Sequence, residues 1–280
     1  MKTALALGTF DGLHKGHREV LSLPGGMRKV AVIFPFPPKA LITGNPLALM
    51  SPGDKISAIK ALGTDEVFTL DFEKVRNMPP EEFLEYLADK FSPSLISCGF
   101  NYRFGKNAAG DKALLEGFCN KRGIILNCRE PVTENGETVS STEIRHFLQN
   151  GDIERANGLL YKPFAYTADV ISGDRRGRTL GFPTANQRYP SYLLPPKFGV
   201  YVSRVAVNGQ EYDGITDIGV RPTFKTDYII SETFIKNFNG DIYGKTVTVS
   251  PRRFVRGEVR FSSAAELKAQ INADLKELEK

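Results

Sequence analysis

Cysteine is scarce in this sequence and long apolar runs are missing, and each shortage narrows what the chain can be. Cys98, Cys119 and Cys128 are its only thiols. Three cannot all pair, and their spacing matches no metal-ligand pattern, so no disulfide framework is expected and a reducing compartment fits best. The apolar run from Ala4 to Leu7 stops at Gly8, too short for a signal peptide, and no later run has the length needed to cross a bilayer. No internal repeat or low-complexity segment is present. These absences lead to the expectation of a cytoplasmic protein without a membrane partner.

Charge of neither sign dominates. Lys and Arg total 37 against 32 Asp and Glu, a formal net charge of +5 spread along the sequence. That balance does not call for nucleic acid as a partner. It suits small-molecule substrates that are polyphosphates, because Lys and Arg near a cleft raise the local anion concentration. With 41% hydrophobic and 25% charged residues in a chain of 280, the composition is that of a globular protein long enough for two domains. A monomer or weak homo-oligomer is expected.

The periodicity changes partway along. Up to about Asn150, short apolar runs at Ala4 to Leu7, Val30 to Phe34, Val67 to Leu70, Leu95 to Cys98 and Ile124 to Leu126 alternate with helical spacing, the pattern of a parallel sheet wrapped by helices. Between Pro79 and Phe91, Phe83, Leu84, Leu87 and Phe91 share one helical face, and the prolines suit a first turn. Another helix is expected to open at Ser140, where Ser140 and Glu143 have capping-box spacing. Beyond Tyr161 the texture is β-rich, with segments at Tyr166 to Ile171, Gly199 to Val207, Tyr228 to Ile235 and Thr246 to Val249 between turns, which suggests a barrel. Leu267, Ile271, Leu275 and Leu278 predict one buried stripe of a terminal helix. The expected fold is thus α/β followed by all-β, with domains at 1–160 and 161–280.

Two segments carry chemistry. Directly after the first strand comes Gly8-Thr9-Phe10-Asp11-Gly12-Leu13-His14-Lys15-Gly16-His17, leading into a helix. Its spacing is not that of a dinucleotide G-x-G-x-x-G turn. The physics is related: glycines let the backbone approach phosphates, and a helix start offers free N–H groups. His14 and His17, three apart, share one face and can hydrogen-bond α-phosphate oxygens and a departing pyrophosphate in an in-line attack. On the residues alone, a capped loop with two surface histidines or a metal pair also fits, although no Cys or carboxylate is spaced to complete a metal site.

The second segment, Gly173-Asp174-Arg175-Arg176-Gly177-Arg178-Thr179-Leu180-Gly181-Phe182-Pro183-Thr184-Ala185-Asn186, joins a basic glycine-rich loop to a Pro-Thr turn. No G-x-x-x-x-G-K-[ST] occurs anywhere. The loop can wrap polyphosphate with backbone N–H groups, and Thr184 and Asn186 present oxygens that suit Mg²⁺, a hard cation. A plain β-hairpin turn is the alternative.

Gly8 to His17 resembles the signature of the His-x-Gly-His nucleotidyltransferases, and its Phe-Asp-Gly prelude is typical of bacterial FMN adenylyltransferases. Gly99 to Lys106 is similar to a loop of that family, and Ser140-Ser141-Thr142-Glu143-Ile144-Arg145 resembles its second phosphate-binding motif. Gly173 to Asn186 is similar to the riboflavin kinase signature. So, in family order, are Gly199-Val200-Tyr201, Ile218 to Phe224, Glu232-Thr233 and Asn239 to Lys245, with Arg256 and Glu258 near the final helix. The chain is identified as a member of the bifunctional riboflavin kinase and FAD synthetase family.

The resemblance implies a Rossmann-like nucleotidyltransferase domain and a six-stranded antiparallel β-barrel with a terminal helix. It implies that riboflavin and ATP give FMN at the barrel, and that FMN and a second ATP give FAD and pyrophosphate in the first domain, with Mg²⁺ as cofactor. His14, His17 and Glu232 are then catalytic, Glu232 as the base beside the riboflavin 5′-hydroxyl. Gly8, Phe10, Asp11, Gly16, Ser141, Thr142 and Arg145 bind ATP in the first domain; Gly173, Arg178, Gly181 and Thr184 do so in the second. Asn101 and Arg256 contact flavin, and Thr184 and Asn186 hold the metal. The chain departs from the family at Phe34-Pro35-Phe36-Pro37-Pro38, which lacks a histidine many members carry. Phe234 and Asn237 stand where His and Asp are often found, and Asp217 replaces a common Asn. A nucleotidyltransferase with another acceptor would not need the barrel motifs, and a non-catalytic flavin- or nucleic-acid-binding module would need neither His17 nor Glu232.

Overall fold

A computed structural model describes residues 1–45, 47–134, 136–172, 182–221, 228–259 and 261–279. The chain divides into two units, Met1–Glu143 and Ile144–Lys280.

In the first unit, five strands form a parallel sheet: β1 (Thr3–Leu7), β2 (Arg28–Ile33), β3 (Glu66–Thr69), β4 (Pro93–Gly99) and β5 (Ile125–Arg129), in the order β3-β2-β1-β4-β5. The central strand β1 is buried at every position, as expected of a parallel strand covered on both faces. From β1 the chain winds outward through β2 and β3, then returns to the other side of β1 for β4 and β5. The strand ends of β1 and β4 therefore flank a topological switch point, where α/β sheets hold ligands.

The connecting helices are α1 (Lys15–Leu21), α2 (Pro38–Thr43), α3 (Pro52–Ala61), α4 (Phe72–Val75), α5 (Pro80–Phe91) and α6 (Lys112–Arg122). Helix α5 shows why the sequence pattern works. Pro80 opens it, Glu81 and Glu82 meet the positive end of its dipole, and Ser92 closes it in the left-handed conformation. Its Phe83, Leu84, Leu87 and Phe91 join Leu5, Val30 and Ile96 in one core, each such side chain contributing roughly 1.5 to 3 kcal/mol on burial. A small hairpin, β6 (Thr133–Glu134) and β7 (Glu137–Thr138), precedes α7 (Ser141–Asn150). Ser140 is the cap of α7 rather than its first residue: its Oγ accepts the Glu143 N–H at 3.1 Å.

The second unit is a closed antiparallel barrel of β8 (Tyr166–Ile171), β9 (Thr184–Arg188), β10 (Gly199–Val207), β11 (Gln210–Arg221), β12 (Tyr228–Ile235) and β13 (Thr246–Arg256), in the order β10-β11-β12-β9-β8-β13. Helix α8 (Ile153–Leu159) packs on β13, and Asn157 donates to the Pro251 carbonyl at 3.0 Å. Helix α9 (Ala264–Lys276) and a 3-10 turn over Glu277–Glu279 follow the barrel.

Some of the polar groups inside the barrel find partners within it. The Tyr166 hydroxyl donates to Ser231 Oγ at 2.6 Å, and Gln187 Nε2 donates to the carbonyls of Ala168 and Val247 at 2.7 and 2.8 Å. Burial pushes the Tyr166 and Tyr201 hydroxyls above their usual range, so both stay neutral hydrogen-bonding groups.

Three expectations need correction. The expected turn at Pro183-Thr184 instead leads into strand β9, which begins at Thr184. Strand β11 was not anticipated, because Asp213, Gly214, Asp217 and Gly219 blur its alternation. Its turn was readable all the same, since Asn208 and Gly209, both at positive φ, make the Asn-Gly hairpin that joins it to β10. The stripe of α9 is only partly covered: Leu267, Ile271, Leu275 and Leu278 are half-buried, whereas Asp274 is buried.

Gly199 begins β10 at φ +143°, where a Cβ would lie 2.9 Å from Phe254 Cε2 and 3.0 Å from Gly257 Cα. Gly199→Ala is expected to destabilise the barrel by about 2 kcal/mol or more, seen as a lower thermal midpoint of that unit.

Candidate active sites

The first site is built on the loop between β1 and α1. Phe10, Gly12 and Leu13 all have positive φ, at 50°, 81° and 47°, a run of left-handed turns that non-glycine residues adopt at a cost of about 1 kcal/mol each. Burial of the Phe10 and Leu13 side chains holds the loop in this form. Gly8 is needed for the same reason: a Cβ there would sit 2.9 Å from Phe10 Cζ.

The loop delivers both histidines to the start of α1. His14 caps the helix, its Nδ1 accepting the His17 N–H at 3.3 Å. The two rings stack with centroids 3.6 Å apart, and Phe10 meets His17 edge-on at 5.4 Å. Sharing a face was expected; stacking was not. The contact fixes both imidazoles as one plate at the strand end. Gly16 lies beside it, where a Cβ would be 3.3 Å from the His14 ring.

Asp11 is buried and ties the loop to two distant segments. Its Oδ1 accepts the Leu49 N–H at 2.9 Å, and its carbonyl accepts the Ser141 hydroxyl at 2.9 Å. The start of α7 is thereby fastened to the histidine loop, with Thr142 exposed next to Ser141 and Arg145 one turn further along the same helix. Asn101 is exposed in the turn that follows β4, where Tyr102 N–H reaches the Gly99 carbonyl at 3.0 Å. The histidine loop and the Asn101 turn thus leave neighbouring strands at the switch point.

Sequence reasoning missed Lys55. This lysine is fully buried, and its Nζ donates to the carbonyls of Phe34 and Pro35 at 3.1 Å each. It braces the Phe34–Pro38 segment that lacks the family's histidine. A lysine in the first turn of a helix with mixed polarity gives no sequence signal of such burial.

The thiols are structural. Cys98 and Cys128 are register partners on β4 and β5. Burial, with Cys128 adding, pushes the Cys98 thiol up to about 12, and burial pushes Cys119 up to about 11. Neither is a nucleophile near neutral pH. Among the described residues no group of three or more His, Cys, Asp or Glu could hold a metal, which leaves the histidine pair without companions for a metal site.

The second site is a row across three strands. Asp217 on β11 pairs with Glu232 on β12, and Glu232 pairs with Asn186 on β9. Residues alternate between faces along a strand. Thr216 and Thr233 are buried and share a hydrogen bond of 3.0 Å, so Asp217, Glu232 and Asn186 stand abreast on the opposite face. Asn186 Nδ2 lies 3.4 Å from Thr184 Oγ1 and 3.3 Å from the Thr184 carbonyl. Among the described residues its buried Oδ1 has no hydrogen-bond partner, a costly state for an acceptor unless a ligand completes it. An orphaned amide oxygen beside a threonine hydroxyl suits Mg²⁺, which takes oxygen donors.

Thr184 and Asn186 also line a cavity of about 480 Å³, together with Val170, Pro183, Asp241 and Tyr243. Gly173, Arg178 and Gly181, expected at the phosphates, lie outside the described residues.

Charge concentrates at the far end of the row. Asp217 keeps contact with solvent, yet crowding of its carboxyl by protein raises its pKa to about 6, with Glu258, Glu232 and Asp274 adding and Arg256 offsetting. Arg256 makes a two-pronged ion pair with Asp274, Nε to Oδ1 at 3.0 Å and Nη2 to Oδ2 at 2.7 Å.

Comparison with known proteins fits this architecture. A family model described as FAD synthetase matches residues 1–143, and one described as riboflavin kinase matches residues 160–280. The bifunctional riboflavin kinase/FMN adenylyltransferase of Bacillus subtilis (strain 168) is 34% identical over 99% of this chain and 91% of its own. That of Escherichia coli (strain K12) is 32% identical over 96% and 90%. A solved structure named as a macrolide-efflux protein from Streptococcus pneumoniae superposes with a TM-score of 0.90 at 29% identity, covering 100% of this chain and 94% of that one. Among the described residues here, no helix is long and apolar enough to cross a membrane. With both family models in the order of the two units and relatives matched over nearly their full length, the chain belongs to the bifunctional riboflavin kinase/FMN adenylyltransferase family.

Proposed function

We propose that residues 1–160 carry the adenylylation of FMN to FAD and residues 161–280 the phosphorylation of riboflavin to FMN, each drawing on its own ATP. The reading places the protein in the cytoplasm, as a monomer or weak homo-oligomer acting on small molecules and not on nucleic acid.

The observation that carries the kinase half is the row Asp217, Glu232, Asn186, running into a cavity at Thr184. Glu232 accepts the proton of the riboflavin 5′-hydroxyl as that oxygen bonds to the γ-phosphorus and ADP leaves. Thr184 and Asn186 would hold Mg²⁺, and the bound ion would offset charge on the phosphate oxygens. Gly173, Arg178 and Gly181 wrap the phosphates, and Arg256 contacts the flavin.

In the other half, a phosphate oxygen of FMN attacks the α-phosphorus and pyrophosphate leaves, so no base is required. The task is to stabilise growing negative charge in a fixed place. His14 and His17, held as a stacked plate, hydrogen-bond the α-phosphate and the leaving group. Gly8, Phe10, Asp11 and Gly16 shape the loop around the nucleotide. Ser141, Thr142 and Arg145 take the β- and γ-phosphates at the start of α7, and Asn101 reaches the flavin from the β4 turn.

The two reactions separate by mutation. His17→Ala is expected to slow FAD formation from supplied FMN by roughly 100-fold or more while FMN still forms from riboflavin. Glu232→Gln should do the reverse, cutting FMN formation by roughly 100-fold or more. Chromatography of products from riboflavin or FMN with ATP and Mg²⁺ reads both, and equal loss of both activities in either variant would overturn the division.

Asp217 links the row to pH. Its folded pKa is raised, so its contribution to stability is complete below the unfolded value and is lost as pH rises through about 6. Above that, the ionised carboxylate weighs against the fold. Asp217→Asn is therefore expected to stabilise the barrel at pH 8 by about 1 kcal/mol, a figure discounted for solvent screening, with the gain fading by pH 4. Thermal melts across that range check it.

A further inference from the structure

We infer that Asp274, on the C-terminal helix α9, is a positioning residue for riboflavin phosphorylation: it sets the guanidinium of Arg256 in the orientation that meets the flavin. This goes beyond the role proposed for Arg256 and rests on it.

The helix itself raises the question. Its apolar stripe is half-buried, while Asp274, only 4% exposed, is the buried side chain among its described residues. A carboxylate taken from water costs several kcal/mol unless it is paired and hydrogen-bonded. Here the pairing is complete: Arg256 grips both oxygens, and Gln270 Nε2 donates to Oδ1 at 2.9 Å. A helix that needed only to dock would do so more cheaply with a leucine at that position.

Arg256 is confined on its other sides as well. Its Nη1 donates to the Gly257 carbonyl at 3.0 Å, and its guanidinium lies 5.9 Å from the centre of the Phe261 ring. Gly199 and Gly219, two glycines of the family-like motifs, leave no room for a Cβ against the 256–258 segment. A guanidinium has five N–H donors. Among the described residues these bonds use three of them, which leaves two in a fixed plane for a ligand. A free arginine side chain loses rotamer entropy when it is fixed on a ligand, and the Asp274 clamp removes that loss from the binding step.

A second staple provides the control. Three residues earlier on β13, Arg253 pairs with Glu277 at 2.9 Å and also donates to its carbonyl at 2.9 Å. It ties the end of the same helical segment to the same strand through a different arginine. Docking and positioning can therefore be separated.

The test measures FMN formation against riboflavin concentration in the full-length chain, with FAD formation from supplied FMN as the measure of an intact protein. Asp274→Asn is expected to raise KM for riboflavin about tenfold with a smaller change in kcat, Asp274→Glu to recover part of the loss, and Arg253→Met to leave KM unchanged. In the Arg256→Met background, Asp274→Asn should add nothing. An unchanged KM in Asp274→Asn, an equal rise in Arg253→Met, or additive effects in the double variant would each overturn the positioning role. Arg256→Met alone reports on the underlying reading: unchanged KM there removes both the flavin role of Arg256 and the inference, whereas raised KM there with none in Asp274→Asn removes the inference alone.

Discussion

Strand register is the constraint on which both sites depend. A slip of one residue between β11 and β12 would send Glu232 into the barrel and bring Thr233 out beside Asp217, because side chains alternate along a strand. Closure prevents this: β13 pairs with β10 on one side and β8 on the other, so no strand can shift without breaking two ladders. The parallel sheet applies the same rule with less force. Leu7 is opposite Val32 on one side and Cys98 on the other, which brings the ends of β1 and β4 level, so their loops leave the sheet at the same edge.

Given that register, each site is finished by a small number of buried polar ties. Asp11 fastens the histidine loop to Leu49 and Ser141, and Lys55 fastens the neighbouring Phe34–Pro35 segment. A loop with three left-handed residues would relax if it were free. Stacking of His14 on His17 gives the loop a rigid end, so in the proposed role the imidazoles would meet a ligand without first losing rotamer freedom. In the barrel the equivalent tie is Arg256 to Asp274, with glycines beneath it in place of bulkier residues.

How much of this could be read in the sequence varies with the range of the interaction. The α5 stripe, the Ser140 cap and the five parallel strands rest on neighbours within a turn or on continuous apolar runs, and their positions follow from the residues. The histidine loop was readable as a site because glycines and two histidines crowd into ten positions after a strand. Stacking of those rings was not, since it depends on backbone angles of Phe10 and Leu13 that no local preference favours. Thr184 and Asn186 were legible as oxygen donors but not as parts of a strand, because Pro183 imitates a turn. Asp274 and Lys55 were invisible: each is a charged residue on a helix, which ordinarily faces water, and each is buried by partners 18 to 21 residues away.

The distribution of charged groups follows from what each reaction must do. Adenylyl transfer begins from a phosphate that is already ionised, so its site needs donors for growing charge and no strong base; imidazoles, hydroxyls and an arginine are the side chains assigned to it. Phosphorylation begins from a neutral alcohol and must dispose of a proton, and the row proposed for it carries two carboxylates, Asp217 and Glu232. Such a row has its own cost, because carboxylates side by side repel. Arg256 offsets part of that repulsion at Asp217, and Asp274 anchors the arginine that does so. Where the family commonly has asparagine, this chain adds a further negative charge at Asp217. On the outer face of β11 that charge ties stability to the ionisation of Asp217.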